Sequence, residues 1–374
     1  MPEMAERKGK MKTDLEQETA EEEELQALIR QISPADHISM EEAAARWKTV
    51  GKPLFSLGKL EDAVIRIAGM RKKSIYSLDK KGLVAICADN GVVAEGVTQT
   101  GQEVTAIVAE NFTKNETSVC LMAQVAGVDI FPIDMGMIRD VPGVTRPEYK
   151  VAYGTENMAE GPAMTRKQAI QAVRNGIRIV EELAEKGYDI LATGEMGIGN
   201  TTTSSAVVSV LLDRDVREVT GRGAGLSSEG LERKIQVIRR AIERNCPDPS
   251  DPIDVLAKVG GLDIAGLAGV FLGGALFHIP VVIDGFISSA AALCAVRMAP
   301  DCRDYMLASH KSGEPAGGMV LDALGLSPFI DCNMSLGEGS GAVAVMPLLD
   351  MGLKVYLEMS TFDEIHVEQY EELK

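Results

Sequence analysis

Aromatic residues are scarce in this 374-residue sequence: they make up 4% of it, and a single Trp is present. Proteins that hold single-stranded nucleic acid stack its bases on aromatic side chains, so the shortage argues against that partner. Basic residues are outnumbered as well, with 38 Lys and Arg against 55 Asp and Glu and a formal net charge of -17. Nucleic acids and anionic membranes attract clustered positive charge, and we expect neither as a partner. A phosphate-bearing small molecule is still allowed, because a few backbone amides and one Lys can hold one phosphate.

Cysteine pairs and metal-ligand spacings are missing too. The six cysteines are scattered, with no Cys-x-x-Cys pair and no His at ligand spacing. We therefore expect reduced thiols and no metal site. The N-terminal residues are polar and charged, without the apolar core of a signal peptide, which favours a cytoplasmic protein.

Long hydrophobic runs are limited to one segment, residues 264–283, that resembles a membrane span. It contains four glycines together with His278 and Pro280, and Asp263 and Asp284 stand directly at its ends. A buried helix running into a buried strand explains this composition better than a span does. We expect a soluble chain.

Short, nearly continuous apolar runs alternate with helical patterns along the chain. The runs cover residues 83–88, 128–136, 188–193 and 281–283, with a weaker one at 304–308. Such runs are typical of buried parallel strands. The sequence thus predicts an α/β fold, with a mostly parallel, Rossmann-like sheet covered by helices on both faces. Ligands of such sheets bind outside the carboxyl ends of the strands, where the polar and glycine-rich loops fall.

Three parts make up the predicted domain organisation. Residues 1–24 are acidic and are expected to form a disordered lead-in. Residues 25–75 and 345–374 are expected to form a small helical domain from both chain ends, and residues 76–344 a large α/β catalytic domain.

Helix boundaries are predicted from periodicity and capping residues. Ser39 is expected to cap one short helix, and Thr165 a long helix that runs to about Lys186. A single continuous helix is expected over residues 103–125.

One carboxylate, Glu338, stands between two glycines just before an apolar run that reaches Pro347. Glycine allows positive φ and a close approach of a ligand to the backbone, so this carboxylate could serve small-molecule chemistry. The local pattern fits a tight turn with a solvated acid equally well.

A second glycine loop, residues 194–202, reads G-x-x-x-x-G-N-T and differs from a phosphate-binding P-loop by carrying Asn200 in place of Lys. A strand, a glycine turn and a helix N-terminus still present N–H groups to an anion, and Thr201 and Thr202 add hydroxyls. The missing Lys makes a monophosphate a better ligand than a nucleoside triphosphate. A plain strand-to-helix turn is the alternative.

A third glycine cluster covers residues 221–226, and Lys234 lies one or two turns into the helix that follows. Taken alone, Lys234 reads as a surface lysine and Glu195 as an ordinary glutamate. Asp89, Asp263 and Asp284 follow apolar runs and are read as helix caps or loop formers as readily as acids or bases.

Four segments together resemble the signature of one family, nicotinate-nucleotide:dimethylbenzimidazole phosphoribosyltransferase. They are residues 88–97 (ADNGVVAEGV), 194–202 (GEMGIGNTT), 284–286 (DGF) and 336–341 (LGEGSG). The similarity runs from about Lys52 to Pro347. Several long motifs in the same order are far more specific than any single glycine loop.

The resemblance implies a reaction: nicotinate mononucleotide and a benzimidazole give α-ribazole 5′-phosphate and nicotinate, the nucleotide used as the lower ligand of cobalamin. Glu338 matches the family's general base, which removes the N–H proton of the attacking base. No metal and no cofactor are implied, and the family forms homodimers. The competing interpretations are a nucleotide-binding protein, or a nucleosidase that passes the ribosyl group to water.

The substrate-binding residues that the resemblance implies fall into three groups. Around the ribose and phosphate they are Glu195, Gly197 and Lys234; at the benzimidazole they are Thr100 and Leu336; and the phosphate is also held by Asn200, Thr201, Thr202, Gly223, Ala224, Gly225 and, more weakly matched, Ser312. Asn90, Phe55, Thr100 and Val108 depart from residues common in the family or in one branch of it. These departures leave the preferred base open.

Overall fold

Five parallel strands form one sheet in the computed structural model, which describes residues 19–371. The strands are β1 (Lys81–Ala88), β2 (Val128–Gly136), β3 (Ile190–Met196), β4 (Val281–Ile283) and β5 (Met306–Ala308). They lie in the order β2-β1-β3-β4-β5. The predicted parallel α/β sheet is confirmed, and each predicted run contains a strand.

The order of the strands reverses between β1 and β3, which are direct neighbours. Both strands are almost entirely buried, as expected when helices cover both faces of a parallel sheet. In open α/β sheets the crevice outside such a reversal is the usual ligand site. β3 continues three residues beyond the predicted end, so Glu195 lies on the strand rather than in the glycine loop.

Helices connect the strands. In chain order they are α1 (residues 19–29), α2 (His37–Thr49), α3 (Lys59–Arg71), α4 (Glu103–Lys114), α5 (Ser118–Ala126), α6 (Arg166–Glu185), α7 (Asn200–Leu212), α8 (Val216–Val219), α9 (Ser228–Asn245), α10 (Pro252–Val259), α11 (Leu262–Leu276), α12 (Phe286–Met298), α13 (Pro315–Leu324) and α14 (Ser340–Glu358). Two 3₁₀ segments, Gly91–Glu95 and Pro300–Tyr305, complete the set named here.

The apolar segment that resembled a membrane span is α11 followed by β4, as predicted. All but the last residue of α11 are buried, and the helix crosses α6 closely at Gly176 and Gly269. Within residues 19–371, α14 is the helix that is long and apolar enough to cross a membrane, and 56% of its most apolar window is buried. Core helices of globular proteins share these properties.

Of three local helix predictions, one is confirmed and two are wrong. The predicted helix over residues 103–125 is two helices, because Asn115 adopts a left-handed conformation that ends α4 and Thr117 caps α5. Asp36, not Ser39, caps α2: its Oδ2 accepts a hydrogen bond from the Ser39 N–H at 2.8 Å. Thr165 caps α6 as predicted, in a reciprocal capping box with Gln168.

Residues 1–24 were predicted to form a disordered lead-in, and of these residues 1–18 lie outside the described residues. Residues 19–24 belong to α1 instead of being disordered. Ion pairs join this acidic helix to α6, with Glu22 at 2.5 Å from Arg166 and Glu24 at 2.5 Å from Arg174.

Both ends of the described chain meet beside the sheet. α2 and α14 each pack against α3, and Val50 forms an isolated antiparallel bridge with Thr361. A cation–π contact and an ion pair hold Lys52 between Trp47 and Glu61 in this region.

Candidate active site

A cavity opens at the carboxyl edge of the sheet. Segments at the ends of four strands form most of its wall: residues 97–100 after β1, 196–201 at the end of β3 and beyond it, 284–288 after β4, and 310, 312 and 314 after β5. Two further stretches, residues 222–224 and 335–337, complete it together with Glu195 and Leu226. The cavity therefore lies where the strand order predicts a ligand.

Most of the predicted site residues line this cavity. They are Thr100, Glu195, Gly197, Asn200, Thr201, Gly223, Ala224, Ser312 and Leu336. The other four predicted site residues do not line the cavity but lie directly beside or behind residues that do; they are Thr202, Gly225, Lys234 and Glu338. The glycine loops, although far apart in sequence, thus meet around one space.

Two buried carboxylates share one amide at the base of the cavity. The Asn200 side-chain N–H₂ donates to Glu195 Oε2, and also to Asp263 Oδ2 at 3.0 Å. The sequence predicts a phosphate-binding role for Asn200, but its side chain is used between these carboxylates. Its backbone N–H bonds the Gly197 carbonyl at 3.0 Å.

This carboxylate pair holds protons more tightly than exposed acids do. Burial is the main cause that raises the pKa of Glu195 to about 8, and the charges of Asp263, Asp284 and Glu338 add to it. Burial likewise raises the pKa of Asp263 to about 6. At neutral pH Glu195 is thus a neutral acid that can donate a hydrogen bond.

Lys234 lies behind the third glycine cluster and is fully buried, so it is not the surface lysine that its local sequence suggests. Its Nζ donates to Thr201 Oγ1 at 2.8 Å and to the Gly221 carbonyl at 3.2 Å. A Cβ atom added at Gly223 would lie 3.6 Å from this ammonium. Burial lowers the pKa of Lys234 to about 8, which leaves a cation that gains from a nearby anion.

Sequence reasoning missed two charged residues of this region, Arg222 and Glu314, which both line the cavity. Glu314 Oε1 accepts a hydrogen bond from the Gly223 N–H at 2.9 Å, whereas its Oε2 is buried without a hydrogen-bond partner in the described residues. The Glu314 carboxylate is therefore hydrogen-bonded to the Gly223 N–H, which the sequence assigns to phosphate binding. Arg222 is exposed, and its guanidinium bonds the Leu226 carbonyl at 2.7 Å.

Glu338 is held in a strained turn beside the cavity. Gly337, Glu338 and Gly339 all have positive φ, of 87°, 61° and 92°. The Glu338 carboxylate turns toward the start of α5, where its Oε2 accepts from the Val119 N–H at 3.2 Å. Burial raises its pKa above the ordinary carboxyl value, while the bonds from Val119 and Thr117 oppose the shift. The two residues before it, Leu336 and Gly337, reach the cavity wall.

Asp284 ties this turn to the end of β4. Its Oδ1 accepts from the N–H groups of Gly341 at 2.8 Å and Ala342 at 3.1 Å, and its Oδ2 from that of Gly339 at 3.2 Å. Asp89, in contrast, supports a loop after β2, since its Oδ2 accepts from the Ile138 N–H at 2.8 Å. Asp89 thus acts as a loop former, whereas Asp284 both holds a loop and caps the first turn of α14.

Comparison with known proteins gives a consistent family. A family model described as "Phosphoribosyltransferase" matches residues 32–367. The nicotinate-nucleotide--dimethylbenzimidazole phosphoribosyltransferase of Ruminiclostridium cellulolyticum is 47% identical over 348 residues, which are 92% of this chain and 98% of the relative. The enzyme of that name from Acetivibrio thermocellus is 48% identical over 332 residues, 89% of this chain and 95% of the relative.

A solved structure agrees with these sequence relatives. The crystal structure of CobT from Thermus thermophilus superposes with a TM-score of 0.84 at 38% sequence identity, and covers 89% of this chain and 99% of that chain. Because the superposition covers most of both chains, the likeness concerns the whole architecture and not the sheet alone.

Proposed function

The chain belongs to the nicotinate-nucleotide:dimethylbenzimidazole phosphoribosyltransferase family, and on that premise we propose that it transfers the phosphoribosyl group of nicotinate mononucleotide to 5,6-dimethylbenzimidazole or a related base. The products are α-ribazole 5′-phosphate, for the nucleotide loop of cobalamin, and nicotinate. One observation carries the proposal: a single cavity joins a buried lysine and glycine cluster, suited to a phosphate, to the loop that presents Glu338.

The phosphate binds at the Lys234 end of the cavity in this proposal. Lys234 supplies charge, and Thr201 and Ser312 supply hydroxyl groups. The glycine cluster of residues 223–225 supplies backbone donors, which include the Gly223 N–H once the phosphate replaces Glu314 as its acceptor. Thr202 and Asn200 support the same turn from the start of α7. A cation of low pKa that is already hydrogen-bonded to Thr201 is well suited to this task, because an incoming phosphate restores its full charge.

The ribose lies beside Glu195 and Gly197, and the aromatic base beside Thr100 and Leu336. Glu195, held as a neutral acid by burial, can donate a hydrogen bond to a sugar oxygen without bringing a second negative charge to the phosphate. Leu336 is 54% exposed at the rim, which leaves an apolar surface free for a flat ring.

Glu338 is the proposed general base. One nitrogen of the benzimidazole attacks C1′, the bond from C1′ to the pyridinium nitrogen breaks, and its electron pair stays on nicotinate. The proton leaves the other benzimidazole nitrogen for Glu338. Nicotinate departs as a neutral ring, so no acid is required, and attack opposite the leaving group inverts C1′ from β to α.

We propose a cytoplasmic homodimer, with a small helical domain from both chain ends beside the large α/β domain. Exposed apolar side chains on α5, Leu121 at 58% and Val125 at 88% exposure, support a subunit contact there. Sedimentation velocity tests it: a particle of the 40.0 kDa monomer mass at micromolar concentration would refute the dimer.

A two-arm assay tests the function. The protein is incubated with nicotinate mononucleotide, with and without dimethylbenzimidazole, and nicotinate and nucleotide products are followed by mass spectrometry. Base-dependent release of nicotinate together with α-ribazole 5′-phosphate is expected. Release without base would identify a nucleosidase, and no release in either arm would leave a binding protein.

Glu338→Gln tests the base in the same assay. The amide cannot accept the proton, so kcat is expected to fall about 10²–10⁴-fold while nicotinate mononucleotide still binds. Because the wild-type carboxylate has a raised pKa and acts only when ionised, the wild-type rate should rise with pH through a value above that of an ordinary Glu. Near-normal turnover in the variant would refute this role.

A further inference from the structure

Asp284 is a buried carboxylate in the wall of the cavity, and no step of the proposed chemistry uses it. It follows β4 directly, and both of its oxygens accept hydrogen bonds from the backbone of a segment 55 to 58 residues later. The helix that begins there, α14, has Gly339 at its N-cap and no side-chain cap of its own. Asp284 supplies from another element the acceptor that a local Ser or Asp would normally provide.

The segment that Asp284 holds includes Glu338, whose backbone conformation is unfavourable unless its surroundings impose it. The left-handed region is unfavourable for a non-glycine residue, because its Cβ atom crowds the following carbonyl oxygen, and Glu338 adopts this region with φ of 61°. Such conformations are maintained only where the surroundings impose them. The bond from the Gly339 N–H to Asp284 Oδ2 lies directly after Glu338, and the bonds from Gly341 and Ala342 fix the first turn of α14.

We propose that Asp284 is the positioning residue of Glu338: through the amides of Gly339, Gly341 and Ala342 it fixes the turn that aims the base at its substrate. The proposal rests on the proposed role of Glu338 as the general base. Removing the anchor leaves the phosphate end of the cavity intact, because Lys234, Thr201 and Gly223 belong to other elements.

Charge adds a second effect, distinct from geometry. The groups that face Glu338 are the Val119 N–H and Thr117 at the start of α5, Asp284 after β4, and Glu195 on β3. Burial raises the pKa of Glu338, and the negative charge of Asp284 raises it further. Burial raises the pKa of Asp284, and His310, which follows β5, opposes that shift. Loss of the Asp284 charge therefore lowers the pKa of the base.

Asp284→Asn is the test. The side-chain N–H₂ of Asn cannot accept a hydrogen bond, so at least one of the backbone N–H groups that donate to the Asp284 carboxylate loses its acceptor. We expect kcat to fall about 10²-fold, the effect of a misplacement near 1 Å, while KM for nicotinate mononucleotide stays within about threefold. The acidic limb of the kcat–pH profile is expected to move to lower pH. Asp36→Asn removes a helix-capping carboxylate from α2, away from the cavity, and should leave kcat and the profile unchanged.

Asp284→Glu keeps the charge but moves the oxygens by one methylene, so kcat should fall with no shift of the acidic limb. It also decides the matter if Asp284→Asn does not fold. Wild-type kcat in either variant, or an equal loss of nucleotide affinity and kcat, would overturn the proposal. Failure of the wild-type enzyme to form any nucleotide product would instead refute the proposed function.

Discussion

At the scale of single residues, Glu314 is a carboxylic acid that lies in the proposed phosphate-binding site. Its carboxylate accepts from the Gly223 N–H, and Lys234 is the cation whose pKa its charge raises. Glu314→Gln removes the negative charge and keeps an acceptor for Gly223. We therefore expect the dissociation constant of nicotinate mononucleotide to fall about tenfold, measured by calorimetry, with a similar gain for inorganic phosphate.

Glu243→Gln, at an exposed position of α9, is the matched control and should bind as the wild type does. If Glu314→Gln binds the nucleotide less tightly, Glu314 organises the glycine cluster rather than competing with the phosphate.

The same residues show how far sequence can define a site. The glycines beside Glu338 and at residues 194–202 predicted the cavity, because such loops must follow parallel strands and meet at one edge of the sheet. The pairing of Glu314 with Gly223 joins residues 91 positions apart, and Asn200 serves two carboxylates of which one is 63 positions away. Local sequence patterns contain no information on such distant partners. The positions of the glycine-rich segments were therefore predicted correctly, but the hydrogen-bond partners of their side chains were not.

At the scale of elements, the crossing of α6 and α11 depends on glycine. A Cβ atom added at Gly269 would lie 2.8 Å from the Val173 carbonyl carbon and 2.9 Å from Gly176 Cα, both backbone atoms that cannot move alone. Gly269→Ala is therefore expected to destabilise the protein by about 1–3 kcal/mol, as other overpacked cores are, and to lower the urea midpoint.

Gly318→Ala on α13 is the matched control. A Cβ atom there would have no neighbour within 4 Å, so the helix-forming Ala should be neutral or stabilising by up to about 1 kcal/mol. Equal midpoints for the two variants would show that the α6–α11 crossing yields without cost.

Strands were predictable from sequence where burial requires an uninterrupted run of apolar residues. The ends of helices were less predictable. The apolar runs of β1 and β4 exist because both faces of each strand are covered, and the run alone identifies them. The break between α4 and α5 was missed because the polar residues 113–118 also fit the exposed side of one continuous helix, since Phe112 and Val119 stay at helical spacing on either side of them. Only the left-handed Asn115 and the Thr117 cap separate the two helices.

At the scale of the whole molecule, the reversal of strand order gathers acids at one edge of the sheet. Glu195 is the last residue but one of β3, Asp284 follows β4, and Asp263 lies in the first turn of α11. All three have raised pKa values because they are buried. A group whose pKa is higher in the folded state stabilises the fold below its unfolded pKa and loses that contribution as pH rises through the folded value. The site thus makes the fold weaker toward alkaline pH.

Glu195→Gln isolates this effect. Glu195 titrates near 4.5 when unfolded and at about 8 when folded, so each pH unit between them costs the wild type up to about 1.4 kcal/mol from this group. We expect the urea midpoint of the wild type to fall between about pH 6.5 and 8, and that of the variant to fall less. Above about pH 8 the lowered pKa of Lys234 acts in the opposite sense, which sets the upper limit of the comparison. Glu368→Gln, an exposed control, should follow the wild type, and parallel curves for all three proteins would mean that Glu195 is ionised in the folded state.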